Sequence, residues 1–225
     1  TKREKAVLNG KKLIAVSKGV AKEAQEIGWL NPESVTTIYN PCNINEIRSL
    51  AEQVNHDIPN EPYLLHIGRV VRQKRHDILF KAIKQVPNIK LVLLCKNIKK
   101  VKKLARQHGV EDRIITPSFQ HNPYNWMKQA SLMTFSSEFE GLGMVLIESL
   151  ICGTPVVSTD CDFGPSEILT GPMVDYLVPI NDPDALANAI TKALKDNIDV
   201  SEAPIINEVD LPKVTQQYLA LVESL

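Results

Sequence analysis

Aromatic side chains are scarce in this chain, at 5% of 225 residues, and none falls among the lysines and arginines between Lys96 and Arg106. Nucleic-acid binding through stacked bases is therefore not expected. Cysteine is equally sparse: Cys42, Cys95, Cys152 and Cys161 are scattered, with no CxxC spacing. That excludes a disulfide framework and a zinc site, and points to reduced, buried thiols in a cytoplasmic protein. No apolar run approaches the roughly 18 residues of a membrane span, and no repeat or low-complexity tract is found. Net charge is also missing, with 26 Lys+Arg against 26 Asp+Glu. What remains, 44% hydrophobic and 23% charged residues, is the composition of a globular protein.

The zero net charge hides an asymmetry. From Arg69 to Arg106 there are thirteen lysines and arginines and one acid, Asp77; from Ser137 onward there are three lysines and fifteen acids. The basic stretch reads either as solvated helix faces or as an attraction to phosphates or an anionic surface.

Short β-rich runs alternate with helical periodicity. Strands are expected at 13–16, 35–39, 63–67, 91–95, 113–116, 132–136, 155–158 and 176–178. Helices are expected at 18–27, capped by Ser17, and at 43–54, 75–85, 98–108, 123–130, 144–152 and 182–195, the last capped by Asn181. This order, with continuously apolar strands, predicts an α/β fold with a doubly wound, Rossmann-like parallel sheet. Residues 55–62 are the most linker-like. Residues 1–41 hold one βα unit and a trailing strand, too little for a core of their own. Residues 208–225 form an amphipathic pattern with Leu211, Val214, Tyr218 and Leu221 on one face. Since the chain starts at Thr1, it is expected to be a piece of a longer protein, with both ends docking on a neighbour.

Two strand-end loops carry the chemistry. In Glu140-Gly141-Leu142-Gly143-Met144-Val145-Leu146-Ile147-Glu148, two glutamates are separated by seven residues. Glu148 stands in a run apolar on nearly every side, where an ionised carboxylate is costly unless something satisfies it. A ligand with paired hydroxyls would do so, and so would a buried protein cation. Gly141 and Gly143 allow close backbone approach, and free amides at a helix start favour anions. The third glycine of a dinucleotide fingerprint is absent. The second loop, Gly68-Arg69-Val70-Val71-Arg72-Gln73-Lys74-Arg75, places four cations in seven residues, enough to grip a diphosphate; an exposed basic loop is the competing reading. It lacks the Walker ending.

In this order, the two loops resemble the donor-binding half of retaining GT-B glycosyltransferases of glycosyltransferase family 4, also called glycosyl transferases group 1. Ile14-Ala15-Val16-Ser17 is similar to that family's last N-terminal strand, and Ile38-Tyr39-Asn40-Pro41 to its interdomain crossing. Gly153-Thr154-Pro155-Val156-Val157 and Gly164-Pro165-Ser166-Glu167 continue the pattern. The resemblance implies three regions: 1–41, a remnant of the N-terminal domain and crossing; 42–207, a nucleotide-sugar donor-binding domain; and 208–225, a helix docking back toward the N-terminal domain.

It also implies roles. Arg69 and Lys74 would bind the donor diphosphate beside Gly68, and Glu140 would face the donor sugar as a catalytic carboxylate. The amides of Gly141, Leu142, Gly143 and Met144 would meet sugar and phosphate, and Glu148 would accept the ribose hydroxyls. For Glu140 a plain loop carboxylate remains the alternative. No metal and no cofactor are implied beyond the nucleotide sugar as co-substrate; Asp160-Cys161-Asp162 resembles the family's ordinary loop. Ser166 and Glu167 read as caps of a short helix or site residues, Glu138 as facing water, and His66 as a satisfied strand-end histidine or a residue near the ligand. His121 and Asn122 fall where the family meets the base.

Arg75, Cys95-Lys96-Asn97 and Pro117-Ser118 replace glycine-bearing positions usual in the family. The implied activity is metal-independent transfer of a hexose, from a uridine-diphosphate donor, to a glycan or lipid-linked acceptor in bacterial lipopolysaccharide or capsule synthesis. The implied location is cytoplasmic, with peripheral contact at the inner membrane face. A GT-B epimerase, a non-catalytic nucleotide-sugar binding domain and a nucleic-acid-binding module are the competing readings.

Overall fold

Strands with apolar residues on both sides of the pleat need cover on both faces. A computed structural model describing residues 2–224 shows how the chain supplies it. In chain order the elements are α1 (Lys2–Leu8), β1 (Leu13–Ala15), α2 (Lys18–Gln25), β2 (Val35–Thr37), α3 (Ile44–Ala51), β3 (Tyr63–Ile67), α4 (His76–Gln85) and β4 (Lys90–Leu94). Then follow α5 (Ile98–Gln107), β5 (Ile114–Ile115), α6 (Tyr124–Gln129), β6 (Leu132–Phe135), α7 (Met144–Ile151) and β7 (Val156–Thr159). The chain continues through α8 (Pro165–Ile168), β8 (Leu177–Val178), α9 (Pro183–Ala193), α10 (Pro204–Glu208) and α11 (Leu211–Glu223).

Six strands form one parallel sheet in the order β5-β4-β3-β6-β7-β8. The chain works outward from β3 to β5, returns to β6 beside β3, and works outward again to β8. Trp126, Met127, Leu146, Ile147 and Leu150 cover one face of the sheet. Leu79, Phe80, Ile83, Val101 and Ile190 cover the other. Each such side chain, fully or almost fully buried, contributes about 1.5–3 kcal/mol by leaving water.

Residues 13–37 stand apart as a β1-α2-β2 unit with its own two-stranded parallel sheet and a small cluster of Ala15, Ala21, Leu30 and Val35. Ser17 caps α2 by accepting from the Val20 amide at 3.1 Å, as expected. The chain passes between this unit and the larger sheet twice, side by side. Cys42 N donates to Val209 O at 2.7 Å, and Leu211 N to Cys42 O at 3.1 Å. Beyond this pairing α11 runs back until Lys12 Nζ reaches Ser224 O at 3.2 Å.

Two expected caps need correcting. The cap of α9 is Asp182, which accepts from the Asp184 and Ala185 amides, while Asn181 takes a positive φ of 63° just before it. The short helices α1 and α10 carry too few periodic residues to register in sequence. Ser166 and Glu167 lie inside α8, whose N-cap is Gly164, so neither caps it. In α11 only Val214 is buried, with Leu211 and Tyr218 each 40% exposed, so its apolar face is largely uncovered. None of the described helices is long and apolar enough to cross a membrane.

Candidate functional site

In an open parallel sheet the crevice forms where the strand order reverses, outside the carboxyl ends of the strands. Here that point lies between β3 and β6, and the two loops singled out by sequence leave those two strands. Three bonds lock them together: Glu138 N to Gln73 O at 2.8 Å, Ser136 Oγ to Lys74 O at 2.8 Å, and Gln73 Nε2 to Phe139 O at 2.7 Å.

The four cations of the β3 loop divide into two pairs. Lys74 Nζ donates to Glu140 Oε1 at 2.8 Å, with both side chains near one-eighth exposed, and sits 4.7 Å above the Phe135 ring. Arg75 makes two 2.9 Å bonds to Asp77, bonds Asn181 and lies 3.9 Å from Glu138. Glu138 is thus half-buried against this guanidinium rather than simply facing water. Arg69 and Arg72 are exposed and form no ion pair among the described residues. Lys74 and Arg75 therefore brace the loop from within, while Arg69 and Arg72 leave its outer side charged.

Arg75 also explains a sequence oddity. Its φ of 44° is left-handed, as glycine would allow without strain, and Ser118 at the other departure has φ 79°. Each costs on the order of 1 kcal/mol, which the paired Asp77 offsets at Arg75.

Gly143 starts α7 at φ 88°, and no side chain caps this helix. Its first amides are therefore open to an anion beside Glu140. Gly164 backs the loop from behind, where an added Cβ would lie 1.9 Å from Leu142 O. The Leu142 side chain is buried in the core, so only its backbone can serve a ligand.

Glu148 lies one turn further along α7. With Met144 it lines a cleft of about 200 Å³, whose other walls include Cys42, Asn43, Glu46 and Tyr124. Its setting is half-buried rather than dry, because Met144, Glu148 and Cys152 form a partly open stripe along α7. No lysine or arginine lines this cleft, so the buried-cation reading is not met among the described residues. Burial pushes the Glu148 carboxyl up to about 7. Burial first, and the Glu148 charge second, push the Cys42 thiol and the Tyr124 hydroxyl up to about 12.

The cleft is smaller than the roughly 300–1,000 Å³ of a whole small-molecule pocket, and so fits part of a ligand. A larger cavity of about 810 Å³ lies at the opposite end of the strands, by Glu61, Lys84, Lys90 and Arg113. Lys90 and Arg113 there already bond main-chain carbonyls.

Other sequence candidates fall into place. His66 is fully buried, with Nδ1 3.0 Å from Thr134 O and its ring edge-on to His76 at 4.9 Å. Its Nε2 has no partner, so it is only half satisfied. Burial, then the nearby His76, lower its pKa. Asn122 ties α3 to α6 through Leu50 O at 2.8 Å and Tyr124 N at 3.0 Å, which commits it to structure. His121 packs edge-on against the exposed Phe119 at 5.3 Å. Sequence reading missed the role of Glu167, whose carboxylate accepts from the Lys18 and Gly19 amides at 2.8 Å each and from Tyr39 Oη at 3.0 Å. It caps α2 from 149 residues away, a contact without local signal.

Comparisons with known proteins agree with this fold. The profile described as "Glycosyl transferases group 1" matches residues 48–208, spanning both loops. A Campylobacter jejuni protein named N-acetylgalactosamine-N,N'-diacetylbacillosaminyl-diphospho-undecaprenol 4-alpha-N-acetylgalactosaminyltransferase is 28% identical over 189 residues, covering 82% of this chain and 51% of that protein. The lipopolysaccharide core biosynthesis glycosyltransferase LpsE of Rhizobium meliloti is 25% identical, covering 94% and 64%. Among solved structures, Anabaena Alr3699/HepE in complex with UDP and glucose superposes with a TM-score of 0.77 at 24% identity, over 94% of this chain and 63% of that one. The chain thus spans about half to two thirds of the length of these relatives. With the fold that of GT-B glycosyltransferase structures and the profile covering most of its length, the chain belongs to the glycosyl transferases group 1 family.

Proposed function

We propose that this chain is the donor-binding part of a retaining glycosyltransferase that moves a hexose from a uridine-diphosphate sugar to a glycan or lipid-linked acceptor. The carrying observation is the contrast within one crevice. Arg69 and the uncapped start of α7 offer positive charge at the strand reversal, while Glu148 waits in a cleft with no cation.

The donor diphosphate lies on Arg69, Lys74 and the amides of Gly141 to Met144, close to Gly68. The ribose diol donates to Glu148, and the sugar stands against Glu140. In transfer, the bond from the anomeric carbon to the phosphate oxygen breaks and its electron pair leaves with the diphosphate. The acceptor oxygen bonds that carbon with its configuration retained, and the hydroxyl proton passes to an oxygen of the departing diphosphate. Arg69 and Lys74 stabilise the departing charge without a bound metal, and Glu140 places negative charge near the cationic sugar carbon. Lys74 then faces both Glu140 and the phosphate, coupling the two ends of the donor.

Supporting the donor and acceptor classes are the UDP and glucose bound in the Anabaena structure and the lipid-linked and lipopolysaccharide names of the relatives. Residues 1–41 and 208–225 are proposed to border an N-terminal acceptor domain. The twin crossing at Cys42 and Val209–Leu211 and the uncovered face of α11 support that division. The protein would work in the cytoplasm, at the inner membrane face, in surface polysaccharide synthesis. This chain by itself is expected to bind donor with little or no transfer.

Calorimetric titration with uridine diphosphate tests the reading. Millimolar or tighter binding is expected, weakened roughly ten- to a hundredfold in Arg69→Ala by loss of a charged hydrogen-bonding partner. Unchanged affinity in that variant would remove the clamp.

A further inference from the structure

The crevice opens where β3 and β6 stop pairing. Leu64 pairs with Leu132 and Leu65 with Met133, yet β3 runs on through Ile67 and β6 through Phe135. On the sides away from each other both strands stay paired to those ends, β3 with β4 and β6 with β7. Between them, two side chains take over from the ladder. His66 Nδ1 lies 3.0 Å from Thr134 O, and Thr134 Oγ1 donates to Leu65 O at 3.1 Å. A carbonyl oxygen only accepts, so Nδ1 carries the hydrogen. Burial, then His76, lower the pKa of this ring; it is neutral, and Nε2 is a bare acceptor enclosed without a partner.

An enclosed, unpaired nitrogen is destabilising. An apolar side chain would fill the position at lower cost, as Leu64 does two residues earlier on the same face. What the imidazole adds is the bridge to β6, and its place is telling. A Cβ on Gly68 would lie 3.2 Å from His66 Nε2 and 3.6 Å from Lys74 Cδ and Cε. The ring therefore stands beneath the first residue of the β3 loop, beside the Lys74 stem. The bonds from Ser136, Gln73 and Glu138 lock the loops farther out; His66 and Thr134 act at their root.

We infer, on the reading of the two loops as a donor clamp, that His66 is a positioning residue. Its bond to Thr134 O, seconded by the Thr134 hydroxyl, sets the separation between the loop bearing Arg69 and Lys74 and the loop bearing Glu140. A binding constellation has to be held within about 0.5 Å, and the main-chain ladder has already ended there.

Three substitutions separate the bridge from bulk. The side-chain amide nitrogen of asparagine stands near the place of Nδ1, so His66→Asn keeps the bond and removes Nε2. His66→Leu keeps bulk and removes both nitrogens, and Thr134→Val removes the hydroxyl bridge with little change of shape. One readout needs no donor: hydrogen exchange at the Glu138 amide, which crosses between the loops to Gln73 O at 2.8 Å. The other is calorimetric affinity for uridine diphosphate. His66→Leu should speed that exchange and weaken that binding, each by roughly tenfold, with thermal unfolding still cooperative. Thr134→Val should do the same more weakly, and decides the matter if His66→Leu does not fold. His66→Asn should match the parent in both. Nitrogen NMR of the parent at pH 7 should find the His66 hydrogen on Nδ1. Parent-like exchange and affinity in His66→Leu and Thr134→Val overturn the inference. So does equal loss in His66→Asn and His66→Leu, which assigns the effect to packing, and so does a hydrogen on Nε2 instead. Should the parent not bind uridine diphosphate while the exchange results hold, the donor reading fails and the spacing role stands.

Discussion

Glu140 and Glu148 lie on the same loop and helix, yet their surroundings are opposite. Glu140 has an internal counter-ion, Lys74, and a second donor in Gln73 Nε2 at 3.3 Å. Glu148 shares its cleft with Glu46 and with no lysine or arginine, and burial lifts its carboxyl to about 7. The first carboxylate is satisfied within the protein; the second has no such partner among the described residues.

The sharpest way to break this contrast is to remove the counter-ion. Lys74→Ala leaves Glu140 mostly buried without its cation and should cost about 3 kcal/mol of stability in urea unfolding. Adding Glu140→Gln should restore much of that. If Lys74→Ala alone leaves stability unchanged, the pair is only a surface contact.

Glu148→Gln should act in the opposite direction. A carboxyl whose pKa is raised in the folded state adds stability below its unfolded pKa, near 4.3, and loses that stability as pH rises through about 7. At pH 8 the variant should therefore be more stable by roughly 3 kcal/mol, with the gain fading below pH 5. The same variant should lose the component of uridine diphosphate affinity that rises with pH up to about 7. A destabilised variant at pH 8 would mean that Glu148 already has a partner.

A smaller effect tests the third carboxylate, Glu167, which joins the two sheets. Glu167→Gln keeps the shape but removes the charge at the start of α2, so a loss of about 1–2 kcal/mol is expected. Amide exchange should rise at Lys18 and Gly19 while the six-stranded sheet stays protected. Unchanged protection at those amides would show that the clasp adds little.

Much of this was legible because it rests on local chemistry. β3 falls at the expected residues, and α7 opens where Gly143 stands. The departures from glycine at Arg75 and in Pro117-Ser118 turn out to include positive-φ positions. Contacts between distant segments left no such trace. Nothing near Lys74 in sequence names Glu140 as its partner, 66 residues on. Glu167 reads as part of a helix cap until the fold brings α2 to it. His66 looks satisfied until its second nitrogen is found enclosed without a partner.

By itself the sequence determined the alternation of strands and helices, the two loops at strand ends and the residues with charge to offer. Those follow from side-chain periodicity, backbone restriction at glycine and proline, and composition, all of which act over a few residues. Only the tertiary structure decided which cation is spent on which carboxylate, that Glu148 lies half open with no counter-ion among the described residues, and that Glu167 binds a remote helix. Those depend on distance through space and on exclusion of water, and folding alone sets both.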